Sequence, residues 1–298
     1  NFLRHTDSGV GKKTIAQIEG LKANGVEVVE VLASRVLEGC QELRSRKIMS
    51  TYKLRRRVIS LCFEKIRTEH PEVVYVRFPG SDFLFYLFLK RSPIPVISEH
   101  NALEILERRR HRDLRYFSEL ILGKVVRKKV SGFVSVTRET NEHQQQRTGE
   151  PKLCLVNGNG IDVNSVPLRT PPEFDRRNLD LLCVAQVAKW HGLDRLIRGI
   201  AEYKGNVNVK LHVVGDGSEV PNLKKLVTDL KLESSVIFHG FKTGKDLDEF
   251  FYTCHIAVGS LGTHRKNMKE TSQLKTREYC ARGIPFVFSA IDADFPAG

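Results

Sequence analysis

No apolar run in this sequence is long enough to cross a bilayer: the longest, Phe83 to Leu89 (FLFYLFL), falls far below the roughly 20 residues that a spanning helix needs. A charged-then-apolar leader does not open it either. Disulfide clusters are missing too. Cys40, Cys62, Cys154, Cys183, Cys254 and Cys280 are widely scattered without a C-x-x-C pair, most of them inside apolar runs such as LLCVA and PKLCLV, and they read as reduced core thiols. These absences make a cytoplasmic compartment the expected one. Composition excludes disorder, since 41% of the 298 residues are hydrophobic and 28% charged. At about 150 residues per domain, the length suggests two domains. Positive charge is in excess: 48 lysines and arginines against 35 acids give +13, a field that attracts anionic ligands or surfaces. With no aromatic platform or recognition helix in the sequence, that charge does not indicate a nucleic-acid partner.

Helical and strand periodicities alternate from end to end, the pattern of parallel sheets covered by helices on both faces. Lys12 to Asn24 carries Ile15, Ile18 and Leu21 at helical spacing, and Gly25 stops it before the strand pattern VEVVEVL. Further strands are predicted at Val73 to Arg77, Ile94 to Ser98, Gly132 to Val136 and Lys152 to Val156. After Asp162, VNSVPLRTPPEFDRRN holds three prolines and no apolar periodicity. That predicts a linker over 166–178, between an N-terminal domain at 1–165 and a C-terminal one at 179–298. The theme then restarts, with strands at Leu179 to Ala185, Val209 to Val214, Val236 to His239, Ile256 to Val258 and Phe286 to Ser289. Helices are predicted near 192–203, 218–231, 244–253 and 272–282. The expected fold class is α/β: two doubly wound Rossmann-like domains facing across a cleft, with ligands beyond the carboxyl ends of the strands. Both ends read as truncated, because Asn1 begins at the tail of a strand and DADFPAG follows one directly.

Two glycine loops offer backbone amides. Asp7 to Thr14 (DSGVGKKT) opens a helix, so Gly9 and Gly11 either let amides cradle a phosphate or sugar oxygen or form an ordinary strand-to-helix turn. Walker spacing fails there, because Thr6 stands where the first glycine is required. Val214-Gly215-Asp216-Gly217 follows an apolar strand and suits either a ligand's approach or a tight turn. No G-x-G-x-x-G follows any strand, which argues against NAD-linked chemistry. Glu270 and Glu278, in ETSQLKTREYCARGIP, stand eight positions apart, one before a helix and one inside it.

In that segment the sequence resembles the retaining glycosyltransferases of the GT-B fold, family four. Their hallmark is a glutamate, seven residues, a second glutamate, a small-residue run and Gly-x-Pro, and Glu278-Tyr-Cys-Ala-Arg-Gly-Ile-Pro285 matches that ending position for position. The resemblance continues, in the family's order, through LVNGNGID, LHVVGDGSEVPNLKKLVTDLKL, SVIFHGF with its Gly240, and CHIAVGSLG. In the first domain it covers SGVGKKTIAQIEGLKANGVEV. It implies a hexosyltransferase that moves a sugar from a nucleoside diphosphate to an acceptor hydroxyl with retention and without a cofactor. Glu270 is then expected at the donor hexose and Glu278 at the ribose, since a carboxylate accepts from two hydroxyls at once. Gly9, Gly11, Gly215 and Gly240 are expected along the donor.

The sequence departs from the family at one pair of positions. Family members carry an arginine and a lysine after the first strand of the second domain, where they neutralise the departing diphosphate. In VAQVAKWHGLDRL the matching positions are Gln186 and His191. Glutamine donates neutral hydrogen bonds and histidine is mostly uncharged near pH 7, so Lys189, Arg195 or Lys275 is expected to supply the charge. Lys275 is attractive because it precedes Glu278 in a helix whose N-terminal dipole favours a diphosphate. The run Trp190 to Arg195 resembles bacterial transferases of surface polysaccharide synthesis. His100, in VISEHNALE, follows a first-domain strand, where the family often places a histidine near the donor sugar; Glu99 and Glu104 are weaker candidates.

Asp292-Ala-Asp294 has the D-x-D spacing by which transferases of the other major fold hold a metal, but its place after the sugar-binding elements argues against that role, and no metal is expected. Basic runs at Arg55 to Arg57 and Arg108 to Arg112, the first beside apolar Tyr52, Leu54, Val58 and Leu61, suit an anionic membrane face. Enzymes of this resemblance often take lipid-linked acceptors. The expected partners are therefore a nucleotide sugar, a saccharide or lipid-linked saccharide acceptor and an anionic membrane at its inner face, with no nucleic acid. A catalytically weakened nucleotide-sugar-binding module of the same fold is the alternative.

Overall fold

A computed structural model describes residues 9–31, 48–108 and 113–295, which fall into two compact units, Asn1–Asn157 and Gly158–Gly298. In the first unit the apolar runs become a parallel sheet in the order β1 (Val74–Arg77), β2 (Val96–His100), β3 (Gly132–Ser135) and β4 (Leu153–Val156). Ser98 of β2 stands opposite Phe133 of β3, so His100 and Ser135 end their strands together. The helices are α1 (Gly9–Ala23), α2 (Ile48–Glu69), α3 (Phe83–Arg91), α4 (Glu104–Arg108), α5 (Leu114–Lys129) and α6 (Arg138–Thr148). Side-chain caps set three of their starts: Asp82 accepts from the Phe85 N–H at 2.9 Å, Asp113 from Tyr116 at 2.9 Å and Thr137 from Thr140 at 3.0 Å. Phe85, Phe88, Val96, Val126, Val130 and Phe133 form the core, each such burial stabilising by about 1.5–3 kcal/mol.

Two expectations fail in this unit. The strand pattern beginning at Val26 forms no strand over residues 26–31, because no described segment offers it a ladder partner. At the sheet edge, every residue of β4 is exposed, so Cys154 is an exposed thiol; Cys280 is exposed as well. The core-thiol reading holds for Cys183 and Cys254, Cys62 is half-buried, and Cys40 lies outside the described residues.

The second unit carries a five-stranded parallel sheet in the order β10 (Phe286–Val287), β8 (Ile256–Val258), β5 (Asn178–Val184), β6 (Asn208–Val214), β7 (Val236–Gly240). Between the strands run α7 (Leu193–Glu202), α8 (Val220–Asp229), α9 (Lys245–Thr253) and α10 (Leu274–Arg282). Alternation along β5 divides the core: Leu181 and Cys183 pack with Leu193 and Ile197 on one face, Leu182 with Phe251 and Tyr279 on the other. The chain builds outward from β5 through β6 to β7, then crosses to β8 on the opposite side of β5. A topological switch point therefore lies between β5 and β8, where sheets of this kind bind ligands. Beyond the main sheet, β9 (Glu270–Thr271) and β11 (Ile291–Asp292) make a separate parallel pair.

Residues 166–178, expected as the linker, are grouped with this second unit. Arg169 anchors them by donating to the carbonyls of Phe251 at 3.2 Å, of Gly283 at 3.3 Å and of Cys254. Those carbonyls are left without intrahelical partners at the ends of α9 and α10. Hydropathy periodicity carries no trace of such an anchor.

Candidate active site

The loop leaving β5 passes through Gln186 into a single 3-10 turn, Lys189–His191, closed by Gly192 at φ +66°. That turn is pinned to the loop after β8: the Leu261 N–H donates to the His191 carbonyl at 2.9 Å and the Gly262 N–H to the Trp190 carbonyl at 3.1 Å. Gly215, after β6, has φ +121°, and a Cβ there would sit 1.9 Å from the Ala185 carbonyl oxygen, so backbone packing by itself requires this glycine. Gly240 closes β7. The switch point is thus walled by backbone held at fixed spacing.

Helix α10 points its N-terminus here. Gln273 at the N-cap makes no capping bond to it, its side chain instead accepting from Ser260 Oγ at 3.0 Å, so the orphan amides of the first turn have no side-chain acceptor from the cap. In that first turn stands Lys275, whose Nζ is shut off from solvent and has no hydrogen-bond partner among the described residues. Burial pushes its pKa down, with the Cys183 thiol opposing. The Lys275 charge in turn bears on Cys183 and on His191. Burial first, then the charges of Lys275 and Lys266, push the His191 pKa down to about 2, so its imidazole is neutral. Nδ1 of that ring accepts from the Ala188 N–H at 2.9 Å, which leaves the proton on Nε2 as a donor. Gln186 and Lys189 are exposed, and Arg195 donates to the Leu261 carbonyl at 2.6 Å.

Glu278 lies one turn further along α10, half-buried, with Oε1 receiving the Arg282 Nε–H at 3.0 Å. Arg282 is held in turn by Asp248 at 2.8 Å and by the Phe251 ring at 4.2 Å. Glu270 opens β9 opposite Ile291 and is half-buried. The second unit carries Gln186, Lys189, His191, Gly215, Gly240, Glu270, Lys275 and Glu278, and within it the Gly215 N–H donates to the Gly240 carbonyl at 2.6 Å and the charge of Lys275 acts on His191.

The first-unit candidates fare differently. His100 is fully buried, with Nε2 3.0 Å from Ser98 Oγ, Nδ1 2.8 Å from Glu104, and its ring against Phe78 and Phe133. Both nitrogens are occupied, by Ser98 and by Glu104. Burial by itself would raise the pKa of Glu104, yet His100 and Arg127 hold it at about 2. Glu99 is bound by Lys13, by Asn101 at 2.7 Å and by the Tyr75 hydroxyl at 3.1 Å. Gly9 and Gly11 lie in the first turn of α1, and the loop before them falls outside the described residues. So do residues 109–112 of the second basic run.

Sequence reasoning passed over Arg277, although it stands inside the glutamate motif. Its guanidinium grips Asp292 with two bonds of 2.7 and 2.6 Å, binds Asp294, and donates from Nε to the Asn159 carbonyl at 2.9 Å. The D-x-D carboxylates thus clamp the β9–β11 pair beside the head of α10.

Comparison with known proteins shows what this chain is similar to. Residues 168–293 match the family model described as Glycosyl transferases group 1, a span that covers all the second-unit candidates named above. No curated protein matches the chain. Among solved structures, Anabaena Alr3699/HepE in complex with UDP and glucose is 18% identical, covering 82% of this chain and 65% of that one, with a TM-score of 0.59. Sucrose-phosphate synthase from Thermosynechococcus elongatus is 13% identical over 83% of this chain and 63% of that one, at 0.63. The lipopolysaccharide outer core galactosyltransferase WaaB, in its apo form, is 17% identical over 81% and 62%, at 0.53. The fold is the α/β fold of GT-B glycosyltransferases, and the chain spans 62–65% of the length of these three.

Proposed function

We propose that the protein is a retaining glycosyltransferase of the family-four type, moving a hexose from a nucleoside diphosphate sugar to an acceptor hydroxyl, with the donor's diphosphate docked at the head of α10. One observation carries this reading: the buried Lys275 Nζ, without a hydrogen-bond partner among the described residues. An uncompensated buried ion costs on the order of several kcal/mol, a cost that an arriving anion removes. The orphan amides and dipole of α10 favour the same anion. Lys275 thereby supplies the charge that the resemblance assigns to the positions of Gln186 and His191, while His191 contributes a neutral N–H from Nε2.

Glu278, with Oε1 steadied by Arg282, offers Oε2 to the ribose hydroxyls, and Glu270 serves the hexose. Charge that builds on the departing diphosphate meets Lys275 and the amides. No protein base is required, because the leaving phosphate oxygen can take the acceptor's proton. Asp292 and Asp294 are engaged by Arg277, and the reading assigns the diphosphate no metal. His100 has no part in it. The acceptor is proposed to be a saccharide or lipid-linked saccharide of surface polysaccharide or glycolipid synthesis, met at the inner face of an anionic membrane, which the charge of +13 supports.

A second reading, a nucleotide-sugar-binding module with weakened catalysis, is favoured by the uncharged Gln186 and His191. Calorimetric titration with a panel of UDP- and GDP-sugars, with Glu278→Ala as control and donor hydrolysis followed in parallel, separates the two. Binding with hydrolysis is expected. Binding without hydrolysis selects the second reading, and absence of binding, or an affinity indifferent to Glu278→Ala, rejects both the donor site and the ribose role.

A further inference from the structure

We propose that α5 is a docking helix whose outer face lies in the surface of an anionic bilayer. This helix is built inside out. Its buried residues are Glu119, Gly123, Val126 and Arg127, whereas Leu114 and Ile121 are 73% and 74% exposed and Phe117, Leu120 and Val125 are exposed beside them. At 3.6 residues per turn Leu114, Phe117, Ile121 and Val125 fall on one stripe. The inversion has a local cause. Arg127 is fully buried and bonded to Glu119, to Gln144 at 2.6 Å and to the Gly123 carbonyl at 3.1 Å, and Arg147 joins Glu119 at 3.1 Å. The polar network occupies the inner face, and the apolar side chains are left outside.

The surroundings select the occupant. Exposed Arg115, Lys124 and Lys128 flank the stripe on α5 itself. Helix α3 packs against both α5 and α2, and carries Phe83, 59% exposed, at its start; Ser118 of α5 donates to the Ser81 carbonyl just before it. On α2, Arg55 lies near enough to Arg115 for their charges to oppose, and a shallow depression is lined by Lys53, Arg56 and Arg57 with a single acid, Glu64. An apolar stripe flanked by cations on its own helix, of which Lys128 also meets Glu150 at 3.4 Å, is the chemistry of an interfacial helix on acidic lipid. A second copy of the chain would set like charges against each other, whereas an anionic bilayer satisfies the stripe and the rim together.

The inference rests on the reading of a membrane-borne acceptor, but docking is measured without any nucleotide sugar, so its failure and the failure of donor binding are seen separately. The whole chain is co-sedimented with phosphatidylcholine vesicles with and without phosphatidylglycerol, at low and high salt. Binding is expected on the anionic vesicles alone, weakened at least about tenfold by salt or by Phe117→Ser with Ile121→Ser, and also by Arg56→Glu with Arg57→Glu. Both positions of the apolar pair are exposed, so the melting temperature should not move. Equal binding to neutral vesicles, salt-insensitive binding by the unaltered chain, or binding indifferent to the apolar pair would overturn the proposal. So would light scattering that shows a dimer dissociated by Phe117→Ser with Ile121→Ser.

Discussion

In the first unit Arg127 is fully buried with Glu119, Glu104 and Gln144 gathered around its guanidinium, whereas in the second Lys275 Nζ is enclosed with no acceptor among the described residues. Both units are built from the same alternation of parallel strands and helices. The difference lies in where the partner of the charge comes from. A charge whose partners are part of the fold ties elements together, here α4, α5 and α6. A charge whose partner is absent from the fold destabilises it until an anion arrives, as expected of a group kept for binding.

Breaking the satisfied charge should have the largest effect. Arg127→Met removes the fully buried cation, leaving Glu119 with Arg147 alone and Glu104 with His100 and Gln144, and should lower the unfolding free energy of the first unit by about 3 kcal/mol in urea titration, with UDP affinity unchanged. A loss under about 1 kcal/mol would erase the contrast between the units. Lys275→Met should do the reverse: the second unit gains stability on the order of 1 kcal/mol, because an unpaired buried ion is removed, while turnover falls about 10²- to 10³-fold. Donor affinity should fall less than turnover, and equal losses in both would argue against a role in the transition state.

Acid should separate the units in order. His191 is held at about 2 and refuses a proton that the unfolded chain takes near 6.5, so the second unit begins to lose stability as pH drops below that value. Glu104 is held at about 2 against an ordinary 4.5, so its contribution is complete above 4.5 and is lost as pH falls toward 2. Urea titrations at about pH 7, 5.5 and 4 should show the second unit weakening first. Simultaneous loss would mean that neither group governs the response. Smallest in expectation is Glu278→Ala, which should weaken UDP about tenfold through the lost ribose contact and leave stability nearly unchanged, since Arg282 retains Asp248.

Much of this comparison was legible in the sequence, and unevenly so. Strands β5 and β6 lie within a residue of their predicted bounds, because a two-sided buried strand writes itself as an unbroken apolar run. Helix α10 and the positions of Glu270, Lys275 and Glu278 followed from a motif that is local in sequence. What the sequence did not display depends on contacts distant in the chain. The burial of Lys275 requires the region of Cys183 and His191, and the enclosure of His100 requires Phe78, Glu104 and Phe133 to converge on it. The anchoring of 166–178 rests on one arginine side chain reaching helix ends more than eighty residues away. The inverted face of α5 shows only once Glu119 and Arg127 are seen to be its buried side.

Titration of UDP into the unaltered chain and into Lys275→Met, each near pH 7 and near pH 9, distinguishes a diphosphate held by Lys275 from one held elsewhere. Because burial holds the Lys275 pKa below its ordinary value, an anion that pairs with it must draw a proton onto it as pH rises, so UDP affinity should fall between the two conditions. The variant should bind about tenfold more weakly near pH 7 and show no such pH dependence. Equal affinity for UDP in both proteins, with the same dependence on pH, would contradict the assignment of the diphosphate to Lys275.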